Sequence, residues 1–349
     1  MNNTPNALSI RKISNETSYI VDKISPRMTG PMVEKLQHDY SLSKRKRHRF
    51  CFHQNPDVNL HDIVICYDKS SYIRPNKHIG KSESVLVLQG DIEIYIFNDF
   101  GDLIDLISLG TFNSKKPCYV RIPPNTWHGL RSVSDIPVIM KETISGPYDS
   151  SSLIWADFAP PESETGSEGH AWYVNLESKA RFYRDKKFIS TEFIVNKSPG
   201  VFHTTSTIAR FDQAILKTLL ESAKSSPLKR SRYCCHNGSE EKLQEMFILL
   251  LKDTNIDESF HIRKDESLVV LDGLGSYFFP NEDGSERLNI TLADFELAKS
   301  EDVFFARINR YVPHQIFVNS DYLLIYEATT GPFHKLDTDY RIKIVGEQE

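Results

Sequence analysis

The sequence predicts an all-β chain: two tandem small β-barrels, each preceded by a short helix. Three observations carry this. HIGKSESVLVLQG (His78–Gly90) recurs as HIRKDESLVVLDG (His261–Gly273), with both histidines, both glutamates (Glu83, Glu266) and both terminal glycines 183 residues apart. The segments between Gly-, Pro- and Asn-rich breaks are short, apolar and rich in β-branched and aromatic residues, as strands are. A later histidine follows each copy: IPPNTWH ends at His128 and INRYVPH at His314.

The first 27 residues hold one strand-like patch, Tyr19–Ile24. MNNTPNALSIRKISNE lacks the apolar stretch of a secretory signal, and no run reaches the roughly 18 apolar residues of a membrane helix. Five cysteines (Cys51, Cys66, Cys118, Cys234, Cys235) without CxxC spacing suit a reduced, cytoplasmic chain. Pro31–Tyr40 places Met32, Val33, Leu36 and Tyr40 on one helical face; its counterpart is Phe211–Ala223, striped by Ile215, Leu219 and Leu220.

The basic run Lys44–Arg49 follows. Lys46, Arg47 and Arg49 recur as Lys229, Arg230 and Arg232, again 183 residues on, so the run belongs to the repeating unit. That register argues for an anion clamp at a barrel mouth and against a nucleic-acid tag, as does a net charge of −5. His53 and His236 also align and offer acid–base groups; Cys51 and Cys234 align as small apolar residues.

Ile63–Tyr67 and Met246–Leu251 read as central strands, Val85–Leu88 and Leu268–Leu271 as the strands behind the glutamates. Glu93–Phe97 leads to a hairpin turn at Asn98–Gly101, mirrored at Asn281–Gly284. The register slips by three before Arg121 and Arg307, as a loop insertion makes it do, and the copies end alike at ETISGPYD (Glu142) and EATTGPFH (Glu327). An arginine inside a sheet needs a partner, and Glu142 or a substrate is the expectation for Arg121. Ala159–Gly169 is Pro-, Gly-, Ser- and Glu-rich and reads as a linker, and extra strands are expected over Ala171–Ile194. The expected division is a first domain over 1–160, a linker over 161–170 and a second domain over 171–349.

Strand side chains alternate, so Asn76 and His78 share a face, whereas Glu83 lies an odd five residues on. The chain must bend between them for both to reach one point, and Gly80 allows that. Two imidazoles and a carboxylate with open positions suit a divalent transition metal: Fe, Mn, Ni or Zn. The predicted ligands are His78, Glu83 and His128 in the first half and His261, Glu266 and His314 in the second. Glu83, His128 and His53 are the candidate proton-transfer residues.

These modules resemble cupins, small jelly-roll barrels. RPNKH (Arg74–His78), Glu83, IPPNTWH (Ile122–His128) and KETISGPYD…DFAP (Lys141–Asp149, Asp157–Pro160) make the first half similar to the WbuC-type cupin metalloproteins associated with surface-polysaccharide gene clusters. The resemblance covers about residues 30–160; the second half shares it through the repeat. The family's first metal histidine is Asn76 here and Ser259 in the second copy, which leaves three ligands per site unless the Asn76 amide oxygen joins. The candidate substrate-binding residues are Lys46, Arg47, Arg49, Arg74, Arg121 and Trp127. The resemblance also implies a setting in surface-polysaccharide biosynthesis; the favoured function there is a metal-dependent isomerase or epimerase acting on a sugar or sugar nucleotide, the metal polarising a carbonyl and Glu or His moving protons. A metal-dependent dioxygenase and a non-catalytic sugar-binding cupin are the alternatives. The expected partner is an anionic small molecule, with neither nucleic acid nor membrane, and a homodimer is compatible with the sequence.

Overall fold

A computed structural model describes residues 9–22, 24–163, 166–184, 190–281, 283–298, 301–334 and 337–340. The first half is a sandwich of two facing sheets. The larger has eight strands, ordered Ser9–Ser14, Thr17–Val21, Arg47–Cys51, Leu60–Tyr67, Val138–Ser145, Glu83–Gln89, Tyr119–Ile122 and Ala209–Phe211. The smaller runs Leu153–Trp155, Asn76–His78, Trp127–Ser132, Ile92–Phe97 and Leu103–Leu109. Val85, Val87, Ile94, Val120, Met140 and their neighbours fill the space between the two. In the central strands, such as Glu83–Gln89 and Ile92–Phe97, alternating β-branched residues are what face that core.

The second half repeats the plan with longer, bent strands. Glu266–Pro280 and Gln315–Thr330 are central to a nine-stranded sheet, and the pairing between them shifts at Gly273 and Gly275, where the strand turns. Gly273 has φ +91°, and a β-carbon there would lie 2.2 Å from the Tyr322 carbonyl, so a side chain is excluded twice over. The sheets are open at their edges and do not form closed cylinders. At the second turn, Asn281 and Gly284 are described and Glu282 lies outside the described residues.

Two helices of 13 residues precede the halves as expected: α1 (Gly30–Leu42) and, after an intervening helix, α3 (Gln213–Ser225). Asp212 caps α3, its carboxylate accepting from the Ala214 and Ile215 amides. The intervening helix, α2 (Ser167–Arg184), replaces the strands expected over Ala171–Ile194. Trp172, Tyr173, Leu176, Ala180 and Tyr183 recur at helical spacing and pack on Tyr95, Phe97, Leu103 and Leu106, the outer face of the smaller sheet. The aromatic content suggested strands; the 3.6-residue period decided for a helix. The expected linker is therefore short: its Glu164 and Thr165 lie outside the described residues, α2 begins at Ser167, and a strand of the second sheet begins at Ile194. No described helix is long and apolar enough to cross a membrane.

The halves exchange strands. Arg27–Thr29, just before α1, pairs with Val303–Ile308 of the second half. Ala209–Phe211, just before α3, pairs with Tyr119–Ile122 of the first. Between them lies the largest apolar cluster, where Phe211 stacks on Phe247 with ring centres 3.7 Å apart and Phe52 meets Phe305 at 4.5 Å. The two halves thus share one core across an approximate two-fold relation.

Candidate metal centres

In the first half the bend at Gly80 (φ +67°) carries the chain from the smaller sheet to the larger. His78 stays on the smaller sheet, Glu83 begins a strand of the larger, and His128 returns on the smaller, opposite Asn76. Glu83 Oε2 lies 2.8 Å from His78 Nε2 and 3.1 Å from His128 Nε2. His128 Nδ1 is held by the Thr126 carbonyl at 3.0 Å, which turns Nε2 toward the carboxylate. Burial works to raise the Glu83 carboxyl, but the two imidazoles outweigh it and hold the group ionised, well below the usual range.

A metal fits this set. The three donor atoms lie within 4.8 Å of one another. Asn76, whose strand residue faces His128, has its Oδ1 buried without a hydrogen-bond partner. An amide oxygen without a partner, on the residue opposite His128 and in the same cavity lining as His78 and Glu83, offers a fourth ligand.

The second half repeats the set. His261 Nε2 lies 2.8 Å from Glu266 Oε2, and the His261 and His314 ring centres are 5.5 Å apart. Here Tyr277 donates to Glu266 Oε1 at 3.2 Å, a contact without a counterpart in the first half, where Ile94 occupies the aligned position. Burial lowers the His314 imidazole despite Glu266, so it stays neutral.

The first centre opens into a cavity of about 230 Å³, lined by Asn76, His78, Glu83 and Glu142, with Arg47 and Arg49 among the residues around it. Glu142 was absent from the sequence-predicted catalytic set. Burial and the neighbouring Glu83 raise its carboxyl to about 7, and burial with Glu266 raises the aligned Glu327 to about 8. The signal was the matching ETIS and EATT endings: each glutamate, at equal register in both copies, pairs one strand over from Val85 or Leu268.

The remaining predicted residues separate. Arg47 and Arg49 line the cavity, but Lys46, Arg74, Arg121, Trp127 and His53 do not. Arg47 is held by the protein's own acids, Glu162 and Glu16 (3.3 Å). Lys46 occupies a left-handed turn (φ +51°) with Nζ on the Ser41 carbonyl at 2.9 Å. Arg74 Nε donates to the Ala156 carbonyl at 3.0 Å, and Trp127 Nε1 to Asp99 at 3.0 Å. His53 is buried, stacks on His61 with ring centres 4.3 Å apart, and is lowered to about 3 by burial.

Arg121 is the main correction. Its expected partner, Glu142, faces the other side of the sheet: Arg121 pairs with Ser84 and Ser84 with Thr143, whereas Glu142 sits across from Val85. The Arg121 guanidinium instead crosses to the second half, donating to Glu245, Glu241 and the Leu243 carbonyl (3.0 Å). Its aligned partner Arg307 crosses back to Asp62 and the Leu60 carbonyl (3.0 Å) and reaches Asp265 at 3.0 Å. Both arginines belong to the domain interface.

Comparison with known proteins agrees with this architecture. A family model described as a domain of unknown function (DUF6016) matches residues 29–109 and again 211–292, so it finds the duplication independently. No curated protein matches the chain. Salicylate 1,2-dioxygenase from Pseudaminobacter salicylatoxidans is 10% identical at a TM-score of 0.57, covering 93% of this chain and 87% of that one. A variant of the same enzyme gives 10% identity, 96% and 91% coverage and a TM-score of 0.58. Oxalate decarboxylase from Lactobacillus farciminis is more distant in shape: 10% identity, 96% and 86% coverage, TM-score 0.43. The chain thus has a mostly β, tandem two-domain cupin fold, and each half holds a donor set suited to a divalent transition metal.

Proposed function

We propose that the chain is a metal-dependent enzyme whose first domain catalyses proton transfer next to a carbonyl on a small anionic substrate. The observation that carries this is the place of Glu142: a half-buried carboxyl lining the same cavity as His78 and Glu83, raised to about 7 by burial and by Glu83. A metal bound at His78, Glu83 and His128 supplies Lewis acidity toward the substrate carbonyl. Glu142 holds or takes the proton. Arg49, exposed at the rim with its Nε on Thr17 at 3.0 Å, offers the guanidinium for an anionic group. The resemblance to WbuC-type cupins supports a sugar or nucleotide sugar as substrate and surface-polysaccharide synthesis as setting.

A second reading, oxygen insertion, is favoured by the likeness along nearly the whole chain to salicylate 1,2-dioxygenase, though a shared fold alone does not transfer a reaction. One experiment separates the two. The full chain, loaded separately with Fe(II), Mn(II), Ni(II) and Zn(II), is incubated in deuterated buffer with panels of sugars, nucleotide sugars and hydroxybenzoates. Solvent deuterium entering carbon beside a carbonyl, without oxygen uptake, is the expected result; oxygen uptake without exchange establishes the second reading and refutes the first.

A further inference from the structure

A third cluster of metal-ligating side chains lies apart from both His/Glu/His sets. His203, Cys234 and His236 have donor atoms within 4.8 Å of one another. The ladder builds it: Val201–Thr204 runs parallel to Arg230–Cys234, with His203 directly beside Cys234. His236 follows two residues later, its ring 5.7 Å from that of His203 and nearly perpendicular to it.

Two features point to a ligand here. His203 Nδ1 is enclosed and makes no hydrogen bond of normal geometry, the His236 backbone being a loose polar neighbour of the ring. His236 Nδ1 lies 3.1 Å from both the Glu245 carbonyl and the Glu245 N–H, which fixes the ring and leaves Nε2 as the nitrogen the backbone does not hold. An imidazole nitrogen so weakly satisfied, beside a thiol and a second imidazole held by the backbone, is unusual.

We propose that His203, Cys234 and His236 bind a thiophilic divalent cation, of which Zn(II) is the natural candidate. Sulfur with two imidazole nitrogens suits zinc and leaves one position open. Burial lowers both histidines, His236 to about 4, so each presents a neutral nitrogen, and it raises the thiol to about 11, a proton the metal would displace. His203 is half-buried, so an ion can reach the set and His203 can turn to close it. The metal would staple the Ile194–Thr204 hairpin, which reaches the sheet through Arg230–Cys234 alone among the described strands, to the second domain.

The first half provides the control. Tyr19 pairs with Cys51 as His203 pairs with Cys234, and His53 aligns with His236. The phenol takes the place of the third ligand there, so the site is confined to one copy. His203→Tyr therefore installs a side chain that this backbone already carries.

The test is titration of the untagged, metal-free full chain with Co(II). Neither His/Glu/His set contains sulfur, so a thiolate-to-cobalt charge-transfer band in the near ultraviolet reports this site alone. The band is expected in the wild-type chain and in a His78→Ala, His261→Ala variant, and is expected to vanish in Cys234→Ser. His203→Tyr should bind about one equivalent less Zn(II) than wild type while keeping its far-ultraviolet circular dichroism. Absence of the band from the wild type, or its survival in Cys234→Ser, overturns the proposal. So does an unchanged Zn(II) stoichiometry in both Cys234→Ser and His203→Tyr.

Discussion

Replacing Asp62 by Ala removes the carboxylate that faces Lys141 Nζ at 2.8 Å and the Arg307 guanidinium, where none of the three side chains is more than 1% exposed. Two cations are then left in the domain interface without their shared counter-ion; Arg307 keeps Asp265, but Lys141 keeps no carboxylate, only the Thr143 hydroxyl and the rings of Phe305 and Tyr326. Breaking a buried pair by removing one partner costs about 3–5 kcal/mol. For domains of this size that lowers the melting temperature on the order of 10 °C. The approximate two-fold relation supplies an internal control. Glu245, aligned with Asp62, serves Arg121, but the position of Lys141 is occupied there by neutral Tyr326, and Arg121 also keeps Glu241. Glu245→Ala should therefore cost less than Asp62→Ala. Denaturant unfolding of both variants in chelator, so that metal occupancy does not shift the apparent stability, measures the difference. A cost below about 1 kcal/mol for Asp62→Ala, against the range expected for a broken buried pair, or a larger cost for Glu245→Ala, would refute the reasoning. The same group sets a pH dependence. Burial pushes the Asp62 carboxyl up, but Lys141 and Arg307 outweigh it and hold it at about 2, below its ordinary 3.8. A depressed carboxylate contributes its stability in full above the unfolded value, so the contribution is present above about pH 4 and lost as pH falls toward 2. It amounts to roughly 2–3 kcal/mol. Asp62→Asn should flatten the acid limb of the stability curve over that window.

The remaining predictions concern the centres. Elemental analysis of untagged protein should find transition metal, with Asn76→Ala weakening retention at the first centre and His128→Ala emptying it; less than about a tenth of an equivalent after reconstitution would contradict the assignment of this ligand-rich set. Glu142→Gln should keep the metal yet lower turnover about 10²–10⁴-fold, the range of a lost general acid or base. Once an assay exists, His128→Ala should abolish turnover while His314→Ala spares it, since the cavity and the Pro123-Pro124 turn belong to the first half; the reverse pattern would exchange the roles. Arg49→Ala should raise KM for anionic substrates, whereas Lys46→Ala, at a turn away from the cavity, should leave it unchanged.

The duplication, the paired helices and both His/Glu/His sets were legible in the sequence because they rest on local facts: spacing, alternation and the glycine that turns the strand. Even the bend between His78 and Glu83 followed from an odd offset and Gly80; that it crosses from one sheet to the other did not. The helix at 167–184 was legible too, at a period of 3.6, but the aromatic content concealed it. What the tertiary structure alone decided is everything that depends on which face meets which neighbour. Arg121 and Arg307 look like barrel-interior charges in one dimension; only the pairing of Arg121 with Ser84, and of Ser84 with Thr143, shows that Arg121 points out of one domain into the other. Arg47, read as a clamp for a foreign anion, is neutralised by Glu162, which is 115 residues away in sequence. Glu142 gains its raised carboxyl from burial beside Glu83, and His203 meets Cys234 across a parallel ladder; neither juxtaposition has a spacing that a sequence displays. Local periodicity reports the backbone's own geometry, whereas charge pairing, burial and ligand sets are properties of the packed chain, created when residues far apart in sequence are brought within a few ångströms of one another.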